Sequence, residues 1–397
     1  MNTSVLTSAV QALSGARTDY ERMVREIFAE AKVPIGGSEP YAVRVHDNAF
    51  YRRFLAEGTL GLGETYMEGL WDCDDLAEMM CRFSRAKLSQ KFKRNPVFLV
   101  NRLRAKLGNE GTKGNALHGV RSHYDIGNDL FTAMLDERMV YTCAYWNEHD
   151  TLAAAQTAKM ELLCRKLCLE PGMKVLDIGC GWGSFLKYAA EKYGIEGVGV
   201  SNSVEQIGLA KKLCAGLPIE FRQQDYRDVK GSFDRVLSVG MFEHVTHKNH
   251  RTYMDLVHGV LVDGGLSVLH TMGRTQSMVR GNDQWITKYI FPNTQVPSVA
   301  QVGAAIDGLF VMEDWENLST DYERTLLAWH AKFTESWPTL RAAYGETFYR
   351  MWSYYLLICA GWYRSRALQL WQVALSKGGI PGGYSWQKNR RVLGDTP

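Results

Sequence analysis

The sequence predicts an α/β fold, a doubly wound parallel sheet behind a mainly helical amino-terminal domain, and three observations lead there. Five short apolar runs follow one another: "MKVLDIG" (173–179), "EGVGV" (196–200), "IEFRQQD" (219–225), "FDRVLSVG" (233–240) and "GLSVLHT" (265–271). Segments of helical length, such as 203–215 and 248–261, separate them, and this alternation is the pattern of a parallel sheet with helices on both faces. The loop after the first run, "VLDIGCGWGSF", carries glycines at 179, 181 and 183, which mark a tight strand-to-helix turn. Before about residue 120 that alternation is missing, and the pattern is helical with one strand-like piece at 41–45.

Taken in order, the amino-terminal part contains "EGTLGLGETYMEGLWD", punctuated by Gly58, Gly61, Gly63 and Gly69, where close packing or tight turns are expected. Between Arg82 and Lys106 stand nine Lys or Arg and no Asp or Glu, interleaved with apolar residues and broken by Pro96 into two short helices. Such a stretch is read first as a solvated helical face; the sharper reading is a surface for anionic lipid or phosphate. "GNEGTKGN" (108–115) is polar and turn-rich and serves as the linker, which divides the chain into a helical domain, 1–115, and a second domain, 116–397.

A hydrophobic content of 46% with 22% charged residues fits a packed globular chain and excludes extended disorder. The net charge of +3 is too small to argue for nucleic acid. Eight cysteines show neither paired zinc spacing nor a disulfide framework, so no metal is expected and the thiols suit a reducing compartment. The first sixteen residues lack Lys and Arg, so no signal peptide is expected, and no apolar run approaches the ~20 residues of a membrane span.

Ligands of such sheets bind at the carboxyl ends of the strands, near the point where strand order reverses. Asp177 ends the first strand at that edge. A carboxylate there repels a pyrophosphate but attracts the ammonium and sulfonium of S-adenosylmethionine. A dinucleotide fingerprint would need glycine where Ser184 stands, and the second strand ends in Val200, Ser201 and Asn202 with no acid for a ribose. Gln206, one turn into the next helix, offers that hydrogen bond instead, and Asp225, past the third strand, offers an acceptor to adenine. A dehydrogenase is therefore disfavoured and a methyltransferase favoured. Glu243, just past the fourth strand in "SVGMFEHV", puts a carboxylate at the same edge. His244 and His247 are read as structural or surface residues.

The motifs "HYDIGNDLF" (123–131), "MVYTCAYW" (139–146), "VLDIGCGWG" (175–183), "QDYRD" (224–228), "VGMFEHV" (239–245), "LHTMG" (269–273) and "KYIFP" (288–292) stand in this order. "FVMEDW" (310–315), "DYERTL" (321–326) and "QLWQV" (369–373) follow. With them the chain resembles the bacterial cyclopropane-fatty-acyl-phospholipid synthases over nearly its whole length. The resemblance implies a Rossmann-like class I methyltransferase sheet and transfer of a methylene carbon from S-adenosylmethionine to a cis double bond of a phospholipid acyl chain. It implies a bound bicarbonate as base, held by Cys143, Glu243, His270 and Tyr322. It places the cofactor against Tyr141, Thr142, Gly179, Gly181, Gln206, Asp225 and Tyr226, beside Asp177, with Thr142 where relatives often have Ser.

Each of these residues also has an ordinary reading. Cys143 would be a small core residue, His270 a satisfied buried histidine, and Tyr322 the start of a helix. Tyr145, Phe242, Tyr289 and Tyr322 are candidate rings for stabilising a passing cation. The segment 273–293 is a candidate acyl-chain lining or lid. The resemblance further implies a homodimer, and an enzyme of the cytoplasm associated peripherally with the inner face of the membrane through the basic stretch 82–106. The rivals are a family member that methylates without closing a ring, giving a methyl-branched or methylene chain, one that methylates an amine in a small molecule, and a lipid-binding protein that keeps the fold without catalysis.

Overall fold

A computed structural model of the chain describes residues 20–87, 127–277, 283–292 and 294–386. The amino-terminal helices are α1 (Tyr20–Glu30), α2 (Ala49–Glu57), α3 (Thr59–Met67) and α4 (Leu76–Arg85). Within them β1 (Arg44–Val45) pairs antiparallel with β2 (Trp71–Asp72), so the strand-like piece expected at 41–45 narrows to two residues. The linker 108–115 and most of the basic stretch, beyond Lys87, lie outside the described residues.

The second part begins with α5 (Asn128–Met134) and α6 (Leu152–Lys166), followed by β3 (Lys174–Ile178), α7 (Ser184–Tyr193), β4 (Glu196–Ser201), α8 (Val204–Leu213) and β5 (Ile219–Gln223). Then come β6 (Phe233–Val239), α9 (His250–Val260), β7 (Leu261–Gly273), α10 (Gln284–Tyr289), α11 (Val299–Ile306), β8 (Val311–Asn317), α12 (Ser319–Arg364) and β9 (Gln369–Ser376). The sheet has the order β5-β4-β3-β6-β7-β9-β8. Strand order reverses between β3 and β6, so the switch point lies between the glycine loop after β3 and Glu243 after β6.

The five strands read from the sequence, β3 to β7, all pair in parallel, and two further strands extend the sheet. β9 runs antiparallel to both β7 and β8, and the motifs "FVMEDW" and "QLWQV" belong to this added edge. β8 escapes a sequence reading because it is a solvent-facing edge whose charged residues break the apolar alternation.

Side chains leave β3 alternately on two faces. Val175 joins a core with Leu163 of α6, Leu186 of α7 and Ile207 of α8. Leu176 and Ile178 join the opposite core with Tyr253 and Val257 of α9 and Val302 of α11. A third core unites the amino-terminal helices with α5 and α12, through Phe28, Phe50, Trp71 and Met79 on one side and Trp352, Leu356 and Ala360 on the other.

α12 is not one straight rod. Gly345, at φ 76° and ψ 165°, leaves the helical region and turns the chain. The arms 319–344 and 346–364 fold back on each other, since Tyr322 meets Tyr363 at 4.6 Å between ring centroids and Trp337 meets Tyr349 at 4.9 Å. The hairpin carries Tyr322 and Tyr355 to the carboxyl edge of the sheet.

Candidate active site

Two cavities meet at that edge. The larger, of about 150 Å³, is lined by Tyr141, Thr142, Asp177, Gly179, Gly181, Gln206 and Tyr226 among others. The smaller, of about 30 Å³, is lined by Cys143, Glu243, His270 and Tyr322 together with Phe291 and Tyr355. Tyr141, Thr142, Gly240 and His244 line both and form their common wall.

The glycine loop lies under the larger cavity because only glycine fits its turns. Gly179 has φ 89°, and a Cβ there would stand 2.8 Å from the Met241 side chain. Gly240, at φ 68°, lies so close to Thr142 that a Cβ would stand 2.9 Å from its methyl group. Thr142 is in turn held from α6. Gln156 Nε2 donates to the Thr142 carbonyl at 2.8 Å, and Lys159 Nζ donates to Thr142 Oγ1 at 2.8 Å. Gln206 Oε1 accepts from Ser201 Oγ at 3.1 Å, which orients its amide.

Asp177 is buried, and its Oδ1 has no hydrogen-bond partner among the described residues. Burial pushes its carboxyl up to about 7, with Lys159 pulling the other way. Burial likewise brings the Lys159 ammonium down to about 8. Asp225 is not among the lining residues. It caps the turn Tyr226–Asp228 by accepting from the Arg227 N–H at 3.0 Å, and its Oδ2 is buried without a hydrogen-bond partner.

Around the smaller cavity the four side chains differ in what they offer. Glu243 is 1% exposed; its Oε1 accepts from the Met272 N–H at 2.5 Å, while Oε2 is buried without a partner among the described residues. Burial raises its carboxyl to about 7, against the backbone donor of Met272. His270 is the last residue of β7 in register with β6 and stands opposite Gln372 of β9, and Gln372 Nε2 donates to His270 Nδ1 at 3.2 Å. That bond leaves the ring proton on Nε2, which is buried and has no partner among the described residues. Burial drives the imidazole well below its ordinary value, so it is neutral. The Cys143 thiol and Tyr322 phenol are pushed well up by burial and keep their protons. The cavity therefore joins one acceptor of variable charge to three neutral donors.

Several expectations change. His244, read from sequence as structural or surface, is half-buried and lines both cavities, with burial pulling its imidazole down to about 4. Phe242 lines neither cavity; it is buried in the core against α9, stacked on His250 at 4.3 Å. Tyr145 and Tyr289 also line neither, and Tyr289 instead bonds Glu64 of α3 at 2.9 Å. Of the rings named from sequence only Tyr322 faces the smaller cavity; Tyr141, Phe291 and Tyr355 join it there. Sequence reasoning also missed Gln156 and Lys159, although two polar residues on the buried stripe of α6 were a signal available to it.

The family described as mycolic acid cyclopropane synthetase matches residues 112–373. The chain is 44% identical over 372 residues, 94% of its length and 97% of the relative's, to the cyclopropane-fatty-acyl-phospholipid synthase of Escherichia coli K12. It is 31% identical over 392 residues, 92% of its length and 90% of the relative's, to a tuberculostearic acid methyltransferase of Mycobacterium tuberculosis. Among solved structures, a mycolic acid cyclopropane synthase complexed with SAH and CTAB superposes with a TM-score of 0.62 at 30% identity, covering 66% of this chain and 98% of that one.

Proposed function

The chain belongs to the mycolic acid cyclopropane synthetase family of S-adenosylmethionine-dependent methyltransferases, and from that premise we propose that it converts the cis double bond of a phospholipid acyl chain into a cyclopropane ring. The observation that carries this reading is the common wall. The cavity with the unpartnered Asp177 Oδ1 meets, across Tyr141, Thr142, Gly240 and His244, a smaller cavity with acid-base groups and aromatic rings.

Two π electrons of the alkene form the new C–C bond to the sulfonium methyl. The S–C bond breaks and sulfur keeps the pair, which leaves S-adenosylhomocysteine and a cation on the neighbouring carbon. A proton then leaves the new methyl group, and its electron pair closes the ring. The faces of Tyr141, Phe291, Tyr322 and Tyr355 stabilise a cation held between them, and their bulk keeps water from trapping it.

The donors and acceptor of the smaller cavity fit bicarbonate. Glu243 Oε2 is an orphaned acceptor for its hydroxyl, and His270 Nε2 is an orphaned donor for an oxygen. Tyr322 retains a proton to offer a remaining lone pair, and the Cys143 thiol, which donates to the Ala144 carbonyl at 3.1 Å, would have to turn its one proton to offer another. Bicarbonate bound there would supply the base for the methyl proton; Glu243 and His270 would hold and orient it, and Glu243, when ionised, would raise its basicity.

Expression in a host that lacks the activity, followed by gas chromatography, mass spectrometry and proton NMR of the fatty acids, tests the proposal. The expected product is heavier by one CH2, has lost the alkene protons and shows upfield ring-methylene signals; an unchanged lipid profile overturns it. The similarity to the tuberculostearic acid methyltransferase supports a second reading, a branched chain, which NMR separates by the absence of ring signals.

The lipid-surface role belongs to the same proposal. Among the described residues no helix is long and apolar enough to cross a membrane, and the basic stretch 82–106 supplies positive charge for an anionic bilayer. Reversing Lys91, Lys93, Arg94, Arg102 and Arg104 is expected to abolish sedimentation with vesicles containing phosphatidylglycerol, and unchanged binding refutes the anchor. A homodimer at the inner face of the membrane completes the reading, and sedimentation velocity tests the dimer.

A further inference from the structure

Among the described residues around the larger cavity stand one carboxylate, Asp177, and one ammonium, Lys159. Both are buried, at 3% exposure each. They feel each other electrostatically, yet among the described residues they form no ion pair within 4 Å. Two opposite charges held apart on the wall of one cavity have each lost most of their water without neutralising the other directly. Lys159 is fixed by its bond to Thr142 Oγ1 at 2.8 Å, and an ammonium has three donors, of which Thr142 takes one. Asp177 presents an Oδ1 with no hydrogen-bond partner. The arrangement suits a ligand that brings the same two charges in reverse order, as the zwitterion of an α-amino acid does.

We propose that Lys159, held on the Thr142 hydroxyl, binds the α-carboxylate of the methionine moiety of the cofactor while Asp177 takes its α-ammonium. The inference rests on the reading that the larger cavity holds S-adenosylmethionine, and it goes beyond that reading in assigning a cation on α6 to one group of the ligand. The position of Lys159 on the buried face of α6, one turn after Gln156, serves the same end: both residues hold the backbone and hydroxyl of Thr142 where the carboxylate arrives.

The test uses the full chain and three ligands, titrated by calorimetry. S-adenosylhomocysteine carries both charges, decarboxylated S-adenosylmethionine keeps the ammonium and adds a sulfonium methyl but lacks the carboxylate, and 5′-methylthioadenosine lacks the whole amino-acid moiety. Lys159→Gln is expected to weaken S-adenosylhomocysteine by about tenfold or more while leaving the other two within about twofold. Asp177→Asn is expected to weaken both S-adenosylhomocysteine and the decarboxylated compound. Equal losses for all three ligands in Lys159→Gln, or no loss for S-adenosylhomocysteine, overturn the proposal. Should that variant be insoluble, Thr142→Val decides in its place: selective loss for S-adenosylhomocysteine supports the assignment, and uniform loss or none overturns it. A wild-type chain that binds none of the three overturns the cofactor reading itself and this inference with it.

Discussion

Glu243 stands where a carboxylate is hardest to keep ionised, and its thermodynamic trace separates its cost from its use. Its pKa in the folded chain is about 7, against an ordinary 4.5, because burial disfavours the anion. A group raised in this way stabilises the fold fully below its unfolded value, and the contribution is lost as pH rises through the folded value. Glu243→Gln cannot ionise, so the variant is expected to match wild type near pH 4 and to exceed it at pH 8 by about 3 kcal/mol, read by denaturant titration in bicarbonate-free buffer. The same variant is expected to bind S-adenosylhomocysteine normally and to lose about 100-fold or more in turnover. Near-normal turnover would refute its role. Gln372 allows a complementary test, because its amide donates to His270 Nδ1 and so sets which ring nitrogen carries the proton. Gln372→Leu removes that instruction and is expected to lower turnover about tenfold. Gln372→Glu replaces the donor with an acceptor, draws the proton to Nδ1 and is expected to lower turnover further, with cofactor affinity unchanged in both. A ranking in which the Glu variant is the more active would sink the tautomer argument. Glu243 was legible in the sequence because an abrupt carboxylate after an apolar strand has few structural uses. Cys143 and Tyr322 were legible only through family resemblance, since a buried thiol or a helix-start tyrosine has many.

At the scale of elements, the alternation of apolar runs with helices located β3 to β7 within a few residues, because buried parallel strands read as continuous apolar stretches. β8 and β9 were not legible as strands: one is a charged edge, and the other follows a helical hairpin that gives no pattern of a crossover. That omission concealed Gln372, which reaches His270 only because β9 pairs with β7. The hairpin itself depends on close backbone contact with the amino-terminal layer. At Gly361 an added Cβ would stand 2.4 Å from the Ala77 carbonyl oxygen and 2.8 Å from the Met80 Cβ. Gly361→Ala is therefore expected to push α4 from α12 and lower stability by about 2–4 kcal/mol. Adding Met80→Ala should not restore it, because the nearest atom is backbone; recovery in a thermal melt of the double variant would show that the contact is softer than its geometry implies.

For the molecule as a whole, the sequence divides at a linker, yet the described residues on its two sides share one apolar core. Trp71, Met79 and Met80 pack with Trp352, Leu356 and Ala360, and a Cβ on Gly63 would stand 2.3 Å from the Trp285 ring. Polar contacts reinforce the seam: Arg350 bonds the Trp71 carbonyl at 2.9 Å and Asp72 at 2.7 Å, and Arg364 bonds Glu78 at 3.2 Å. A turn-rich linker is visible in composition, but the complementarity of two surfaces distant in sequence is not, which is why 1–115 and 116–397 look more independent in sequence than in the packed chain. Two cuts at the same place distinguish connectivity from packing. A chain nicked within 108–115 by an inserted protease site is expected to run as one species in gel filtration, keep cofactor binding and melt within a few degrees of the intact protein. Residues 116–397 expressed alone bare the apolar surface around Trp285, Trp352, Leu356 and Gly361, a patch large enough to drive association, and are expected to aggregate or melt far lower. If the isolated fragment were monodisperse with the melting temperature of the full chain, the shared core would contribute little, and the two parts would be independent domains joined by a tether.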